Sequence, residues 1–131
     1  MVVLDSSALV DFLKGDISPV TDYIAHLEKR NITFAIPLIC CQEVLQGARS
    51  KKEWKTLSTY LKAHELIDLK NGWKSYEAAA AIFYACRRQG VTPRSSIDCI
   101  IAQITIEHKG ALLHKDRDFI NIAKHSSLKI L

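Results

Sequence analysis

Short apolar runs alternate with longer segments of helical periodicity along the whole chain, and this alternation constrains the fold more than any other feature. The helical period is clearest late in the chain, where Ile97, Ile100, Ile101 and Ile104 recur at spacings of three and four residues. Strands that alternate with helices predict an α/β domain, a three-layer α/β/α arrangement with a small, mostly parallel sheet between the helices. The predicted strands are 2–4, 32–36, 65–69, 111–113 and 128–131.

The predicted helices carry recognisable start and stop signals. Ser18 is expected to be an N-cap with Pro19 at the first helical position, and Gly90 is expected to end an alanine-rich helix. Pro37 is expected to open the third helix, and the segment "SSID" predicts a capping box from residue 95. The predicted helices are 6–15, 18–31, 37–50, 51–64, 72–90, 95–110 and 117–125.

The length of 131 residues predicts a single domain over residues 1–131, large enough for its own hydrophobic core. No apolar stretch approaches the roughly 18 residues that a membrane span needs, and no basic leader precedes Asp5. We therefore expect a cytoplasmic protein without a membrane partner. The formal net charge of +4 is compatible with an anionic partner but does not require one.

Four cysteines raise the question of a disulfide or a zinc site. Cys40 and Cys41 are adjacent, whereas Cys86 and Cys99 fall within apolar helical patterns, and no C-x-x-C motif occurs. We expect all four to be buried as small apolar side chains in a reducing compartment.

Acidic residues follow two of the predicted strands. Asp5 comes directly after the first strand, and Asp116 and Asp118 follow the fourth. The carboxyl ends of parallel strands meet at one edge of a sheet, so Asp5 and Asp116 should project to the same edge. Helix capping is an alternative explanation for these acids. Asp5 and Asp98 both lie at predicted helix starts, and either Asp116 or Asp118 could cap the last helix. Capping does not account for the pair at 116 and 118.

Glu43 lies on a different kind of surface. Its helical neighbours are Ile39, Cys40 and Gly47, which form a small, uncharged stripe. A carboxylate on such a stripe either reaches solvent at the edge or needs a partner, for which a metal ion would serve.

Taken together, the five acids predict a metal site, because a cluster of carboxylates does not stay ionised in one pocket without cations. Oxygen ligands of this kind suit hard divalent ions, Mg²⁺ or Mn²⁺, and such ions support phosphodiester hydrolysis.

Four sequence blocks, in this order, resemble the PIN-domain family, and in size the chain is similar to VapC-type ribonuclease toxins. The blocks are "VVLDSSALVDFL" from residue 2, "EVLQGAR" from 43, "SSIDCIIAQI" from 95 and "LLHKDRDF" from 112. The resemblance covers essentially the whole chain. It implies a metal-dependent endoribonuclease that cleaves single-stranded RNA without a protein nucleophile.

By position, the resemblance implies a set of catalytic metal ligands with supporting residues around it. Ser7 takes the position of a small hydroxyl residue near the first acid. His114 departs from the family, which commonly has threonine or serine there. The implied ligands to Mg²⁺ or Mn²⁺ are Asp5, Glu43, Asp98 and Asp116, with Asp118 in support.

The resemblance also implies an RNA substrate, a VapB-like antitoxin that inhibits the enzyme, and a homodimer. Basic side chains in two clusters are candidates for RNA phosphate contacts, although they would equally suit the antitoxin or solvent. These candidates are Lys51, Lys52, Lys55, Arg87, Arg88 and Arg94.

Two alternatives remain open from the sequence. The first is a catalytically silent PIN-fold module that binds RNA or protein. The second is an unrelated receiver domain that accepts a phosphoryl group on an aspartate, for which Lys70 after the third strand would supply the required lysine. The receiver interpretation leaves Glu43 and Asp98 without a role.

Overall fold

A wholly parallel five-stranded sheet with seven helices forms the protein in the computed structural model, which describes residues 1–131. The predicted α/β fold class is confirmed. The strands are β1 (Val2–Leu4), β2 (Ala35–Pro37), β3 (Glu65–Ile67), β4 (Ala111–Leu113) and β5 (Lys129–Ile130). The helices are α1 (Ser6–Leu13), α2 (Pro19–Lys29), α3 (Leu38–Gln46), α4 (Lys51–Lys62), α5 (Trp73–Arg88), α6 (Ser96–Glu107) and α7 (Asp118–Lys124).

The strand order β3-β2-β1-β4-β5 puts β1 at the centre of the sheet. The chain first adds strands on one side of β1 and then crosses to the other side. Because crossovers between parallel strands are right-handed, the two directions put their helices on opposite faces. Most helix contacts follow this division: α1 packs on α2 and α3 and α3 on α4, whereas α5, α6 and α7 pack on one another. In addition, α3 and α6 meet across the two groups.

The central strands are buried on both faces, which explains their continuous apolar sequences. Val3, Leu4, Ile36 and Leu112 are fully buried. The four cysteines are also buried, as predicted, and carry free thiols. No helix has both the length and the apolar character that crossing a membrane would take.

Gly110 controls how closely β4 approaches β1. A Cβ at this position would lie 2.7 Å from Val3 Cγ2 and 3.2 Å from the Met1 carbonyl oxygen. A residue without a side chain therefore lets the chain enter β4 directly beside β1. The two strands then run in register, with Leu4 opposite Leu113 at their carboxyl ends.

Several predicted boundaries were wrong. Pro37 is the N-cap of α3, as expected of a residue that opens a helix, but it lies outside the first turn and ends β2: it is extended, with φ −59° and ψ 139°, and lies opposite Ile67 in the sheet. Proline's fixed φ fits either conformation, so pairing with β3 decides between them. The strands predicted at 32–36, 65–69 and 128–131 are the shorter β2, β3 and β5.

The helix caps agree better with the sequence. Ser18 caps α2 with Pro19 at its first position, and Gly90 follows the end of α5 with φ +78°. Only one half of the capping box predicted at Ser95 forms. The Ser95 hydroxyl accepts from the Ile97 N–H, but the Asp98 carboxylate does not bond back to the Ser95 backbone.

Candidate metal centre

The candidate site forms at the carboxyl ends of β1 and β4, where the chain reverses its direction of growth across the sheet. Asp5 follows β1 and Asp116 lies three residues beyond β4. The register of Leu4 with Leu113 brings these two chain segments side by side. Ligand sites in open α/β sheets form at such a crevice.

Asp5 is almost fully buried, with 2% of its surface exposed. Its Oδ1 accepts from the Ala8 N–H at 3.0 Å, so it caps α1, and its Oδ2 accepts from the Ser7 hydroxyl at 2.6 Å. Burial raises the pKa of Asp5, and these two hydrogen bonds and the nearby His114 offset part of the increase. The capping role and the site role therefore fall on the same carboxylate.

Asp98 lies in the first turn of α6 and makes no side-chain hydrogen bond or ion pair. One carboxylate oxygen each from Asp98, Asp116 and Asp118 lie within 4.8 Å of one another. Burial raises the pKa of Asp98 to about 7, helped by the negative charges of Asp116 and Asp118 and then of Asp5 and Glu43. The other four predicted acids therefore all act on Asp98, although only Asp116 and Asp118 place an oxygen in its group of three.

Glu43, on α3, lies outside the group of three oxygens and is bound by a serine at the start of α1. It is half-buried, and its Oε1 accepts from the Ser6 hydroxyl at 2.8 Å. Ser6 and Ser7 thus each donate to one acid, Ser6 to Glu43 and Ser7 to Asp5. The Ser6 contact was missed from sequence, although the pair of serines after Asp5 was a usable signal.

Asp116 and Asp118 are joined to Arg94. Arg94 Nη2 donates to Asp116 Oδ1 at 2.8 Å, and Arg94 Nε donates to Asp118 Oδ2 at 3.2 Å. Asp116 Oδ1 also accepts from the Asp118 N–H at 3.0 Å, which organises the first turn of α7. One guanidinium is therefore the direct cationic partner of two acids in the cluster.

His114 holds the loop between β4 and α7. Its Nδ1 lies 3.0 Å from the Asp116 carbonyl oxygen, and because a carbonyl only accepts, Nδ1 carries the hydrogen. The ring packs against Phe119, with centroids 5.7 Å apart. In this position the imidazole supports the backbone of Asp116.

The predicted phosphate-contact residues divide into two groups. Arg94 lies in the acid cluster, as described. The other five make no contact with the clustered acids: three lie on α4, and two lie at the end of α5, where both guanidinium groups approach the Tyr84 ring. These five are Lys51, Lys52, Lys55, Arg87 and Arg88.

Two further cations lie with Arg94 around a cavity beside the acids. A cavity of about 360 Å³ is lined by Ser7, Arg94, Lys115, Asp116 and Arg117. Lys115 Nζ also lies 2.7 Å from Asp11 Oδ2, which ties the loop to α1. Lys115 and Arg117 were missed from sequence, although both flank Asp116 in "HKDRD".

The donor set fits a hard divalent cation. Every candidate ligand is a carboxylate, the chemistry that Mg²⁺ and Mn²⁺ prefer. Four other carboxylates act on Asp98, and the single guanidinium of Arg94 pairs with only two of them. An additional cation would offset the negative charge that, together with burial, raises the pKa of Asp98.

Sequence comparison with known proteins consistently identifies one family. The profile of the PIN domain family matches residues 2–125. Ribonuclease VapC11 of Mycobacterium tuberculosis and VapC ribonuclease Mb1587 of Mycobacterium bovis are each 31% identical over 135 aligned residues. Each alignment covers 98% of this chain and 96% of the relative.

Solved structures agree in fold. VapBC2 from Rickettsia felis, bound to a DNA fragment from its promoter, superposes with a TM-score of 0.76 at 18% identity and covers 100% of this chain and 98% of that one. A toxin–antitoxin complex from Klebsiella pneumoniae gives a TM-score of 0.65 at 22% identity, covering 91% and 90% of the two chains.

Proposed function

The chain belongs to the PIN-domain family, and from this premise we propose that it is a Mg²⁺- or Mn²⁺-dependent endoribonuclease of the VapC type. The observation that carries the proposal is the convergence of the Asp98, Asp116 and Asp118 carboxylate oxygens within 4.8 Å of one another. Relatives named as ribonucleases, similar over nearly the full length of both chains, support the same activity. Family membership also decides against the receiver-domain alternative, which leaves Glu43 and Asp98 without a role.

In this proposal Asp5, Glu43, Asp98 and Asp116 are the metal ligands, and Asp118 supports them. When bound, the ion activates water and stabilises the departing oxygen of an RNA phosphodiester. Asp98 must give up its proton for this role, and a pKa of about 7 makes that loss available at neutral pH.

The neighbouring hydroxyl groups orient ligands rather than attack the substrate. Ser7 donates to Asp5 and Ser6 donates to Glu43, so each serine proton is directed to a carboxylate. Both bonds fix the direction of the carboxylate oxygens, and the bond from Ser7 also favours the ionised form of Asp5. His114 would act in the same supporting way through the Asp116 backbone.

The proposed substrate is single-stranded RNA. Its phosphates would meet the cationic mouth formed by Arg94, Lys115 and Arg117, which adjoins the acids. Positive side chains at that mouth would offset repulsion between the acids and the phosphate backbone. The cations on α4 and α5 are proposed as more distant contacts of the same strand or of a protein partner.

We also propose that a VapB-like antitoxin inhibits the enzyme and that the active form is a cytoplasmic homodimer of one domain per chain. Support for the antitoxin comes from the structure of similar fold from Klebsiella pneumoniae, which is described as a toxin–antitoxin complex. Occupation of the cationic mouth by such a partner would block access of RNA to the acids.

A ribonuclease assay tests the activity. Wild type with Mg²⁺ or Mn²⁺ should cleave unstructured RNA, and Asp5→Asn should cleave roughly 100-fold less or worse, because a ligand charge is lost. Asparagine is also a good N-cap, so α1 keeps its start. Asp22→Asn, which alters an exposed acid in the first turn of α2, is the matched control and should cleave normally.

Two results would contradict the proposal. Equal cleavage by wild type and Asp5→Asn would exclude the acid cluster as the active site. RNA that is bound but left intact by wild type would identify the chain as a silent binding module of the same fold.

A further inference from the structure

Arg94 holds the two acids of the β4–α7 loop through both its side chain and its backbone. The side chain donates to Asp116 Oδ1 at 2.8 Å and to Asp118 Oδ2 at 3.2 Å. The Arg94 N–H donates to the same Asp118 oxygen at 3.1 Å. The guanidinium thus bridges Asp116 and Asp118, and the main chain fixes one of them independently.

The two carboxylates bridged by Arg94 belong to the group of three whose oxygens lie within 4.8 Å of one another. A divalent ion at this group would draw on the same negative charge, and the guanidinium would repel it. We infer that Arg94 is a built-in counter-ion of the site, which competes with the metal ion for Asp116 and Asp118. This inference rests on the metal site of the proposed function.

A metal ion could displace the Arg94 guanidinium from the two acids at little cost. The Arg94 side chain is 74% exposed, so its two ion pairs face solvent and are individually weak. The backbone bond from the Arg94 N–H to Asp118 survives any change of side chain. A displaced guanidinium would remain at the mouth of the site beside Lys115 and Arg117, facing the RNA phosphates.

Calorimetric titration with Mn²⁺ tests the competition directly. Arg94→Ala should bind Mn²⁺ roughly threefold to tenfold more tightly than wild type, the range expected for losing two exposed ion pairs. Arg117→Ala is the matched control, since Arg117 lines the same cavity but forms no ion pair with the acids. It should change the affinity much less, because it removes only a longer-range charge.

Thermal melting supplies a second readout that does not depend on activity. Without metal, Arg94→Ala should melt below wild type, because the acids lose their only direct cationic partner. Saturating Mn²⁺ should then raise its melting temperature by more than it raises that of wild type. Arg94→Lys keeps the charge but lacks the planar guanidinium, so its increase in melting temperature with Mn²⁺ should lie between those of wild type and Arg94→Ala. This variant keeps the comparison possible if Arg94→Ala is unstable.

The outcomes separate the inference from the proposed function. If wild type binds Mn²⁺ but the Mn²⁺ affinity of Arg94→Ala is no higher than that of Arg117→Ala, only the inference is overturned. Arg94 would then hold the acids in a geometry that favours metal binding. Absence of Mn²⁺ binding by both wild type and Arg94→Ala would overturn the metal site and the inference together. Binding by Arg94→Ala alone would support the inference.

Discussion

The Ser7 hydroxyl donates a 2.6 Å hydrogen bond to the Asp5 carboxylate, whose other oxygen caps α1 through the Ala8 N–H. A buried acid at the centre of the sheet edge is thereby kept in one orientation. The same two contacts oppose the effect of burial on the pKa of Asp5. Removing either one would make this carboxylate harder to ionise.

Ser7→Ala should therefore weaken metal binding in a pH-dependent way. Without the hydroxyl the pKa of Asp5 rises further, so a proton competes with the ion more strongly at low pH. We expect Mn²⁺ affinity to fall by roughly tenfold at pH 6 and by less at pH 8. Calorimetry at both pH values measures this, with Ser7→Thr, which keeps the hydroxyl, as control. An unchanged affinity at pH 6 would show that the Ser7 bond is unimportant for Asp5.

The metal-free protein should lose stability as pH rises toward neutrality. The pKa of Asp98 is about 7 in the folded protein against an ordinary value of 3.8, so between these values the folded state binds more protons than the unfolded one. The free energy of unfolding therefore falls as pH rises through this window and levels off above pH 7. After allowance for solvent screening, the loss attributable to Asp98 is about 1–2 kcal/mol.

Chemical denaturation in EDTA at pH 5, 6, 7 and 8 measures this loss. Asp98→Asn should flatten the profile, because it removes the titrating group and the repulsion together. Glu77→Gln, an exposed acid on α5, should leave the slope as in wild type. A wild-type profile that rises over the same range would refute the raised pKa assigned to Asp98, which comes from burial and from the neighbouring acids.

A separate polar contact is expected to affect stability alone. Tyr60, on α4, donates from its hydroxyl to Glu28 Oε1 on α2 at 2.6 Å. Tyr60→Phe keeps the ring but loses this bond, which should lower the free energy of unfolding by about 1 kcal/mol. Mn²⁺ affinity should not change, because neither residue contacts the acid cluster.

Urea denaturation and Mn²⁺ calorimetry of the same variant test both halves of this prediction. Tyr84→Phe is the matched control: the Tyr84 hydroxyl accepts an exposed hydrogen bond from Arg88, so its loss should change stability by less than about 0.5 kcal/mol. An equal loss in the free energy of unfolding for the two variants would mean that the hydrogen bond between α2 and α4 stabilises the fold no more than an exposed one.

The order of strands and helices was predictable because it depends on local apolar patterns. The same is true of the shared edge for Asp5 and Asp116, which follows from the rule that parallel strands end together. Pro37 shows the limit of local reasoning. Its φ suits both a helix start and a strand end, and only pairing with Ile67 on β3 decides between them.

The contacts that complete the site were not predictable in this way. Ser6 and Glu43 are 37 residues apart in sequence, and Arg94 is 22 residues from Asp116. Periodicity relates residues only within one element, so it does not report which loop side chain reaches a neighbouring acid. The charge of Arg94 predicts RNA contact, whereas its ion pairs with Asp116 and Asp118 follow only from the fold.

The most direct test of the central claim is Mn²⁺ titration calorimetry on wild type and Asp98→Asn. The Asp98 side chain makes no hydrogen bond or ion pair, so asparagine removes a charge and little else. We predict that wild type binds Mn²⁺ and that Asp98→Asn binds roughly tenfold more weakly or not at all. Equal binding by the two proteins would contradict a metal site built on these carboxylates.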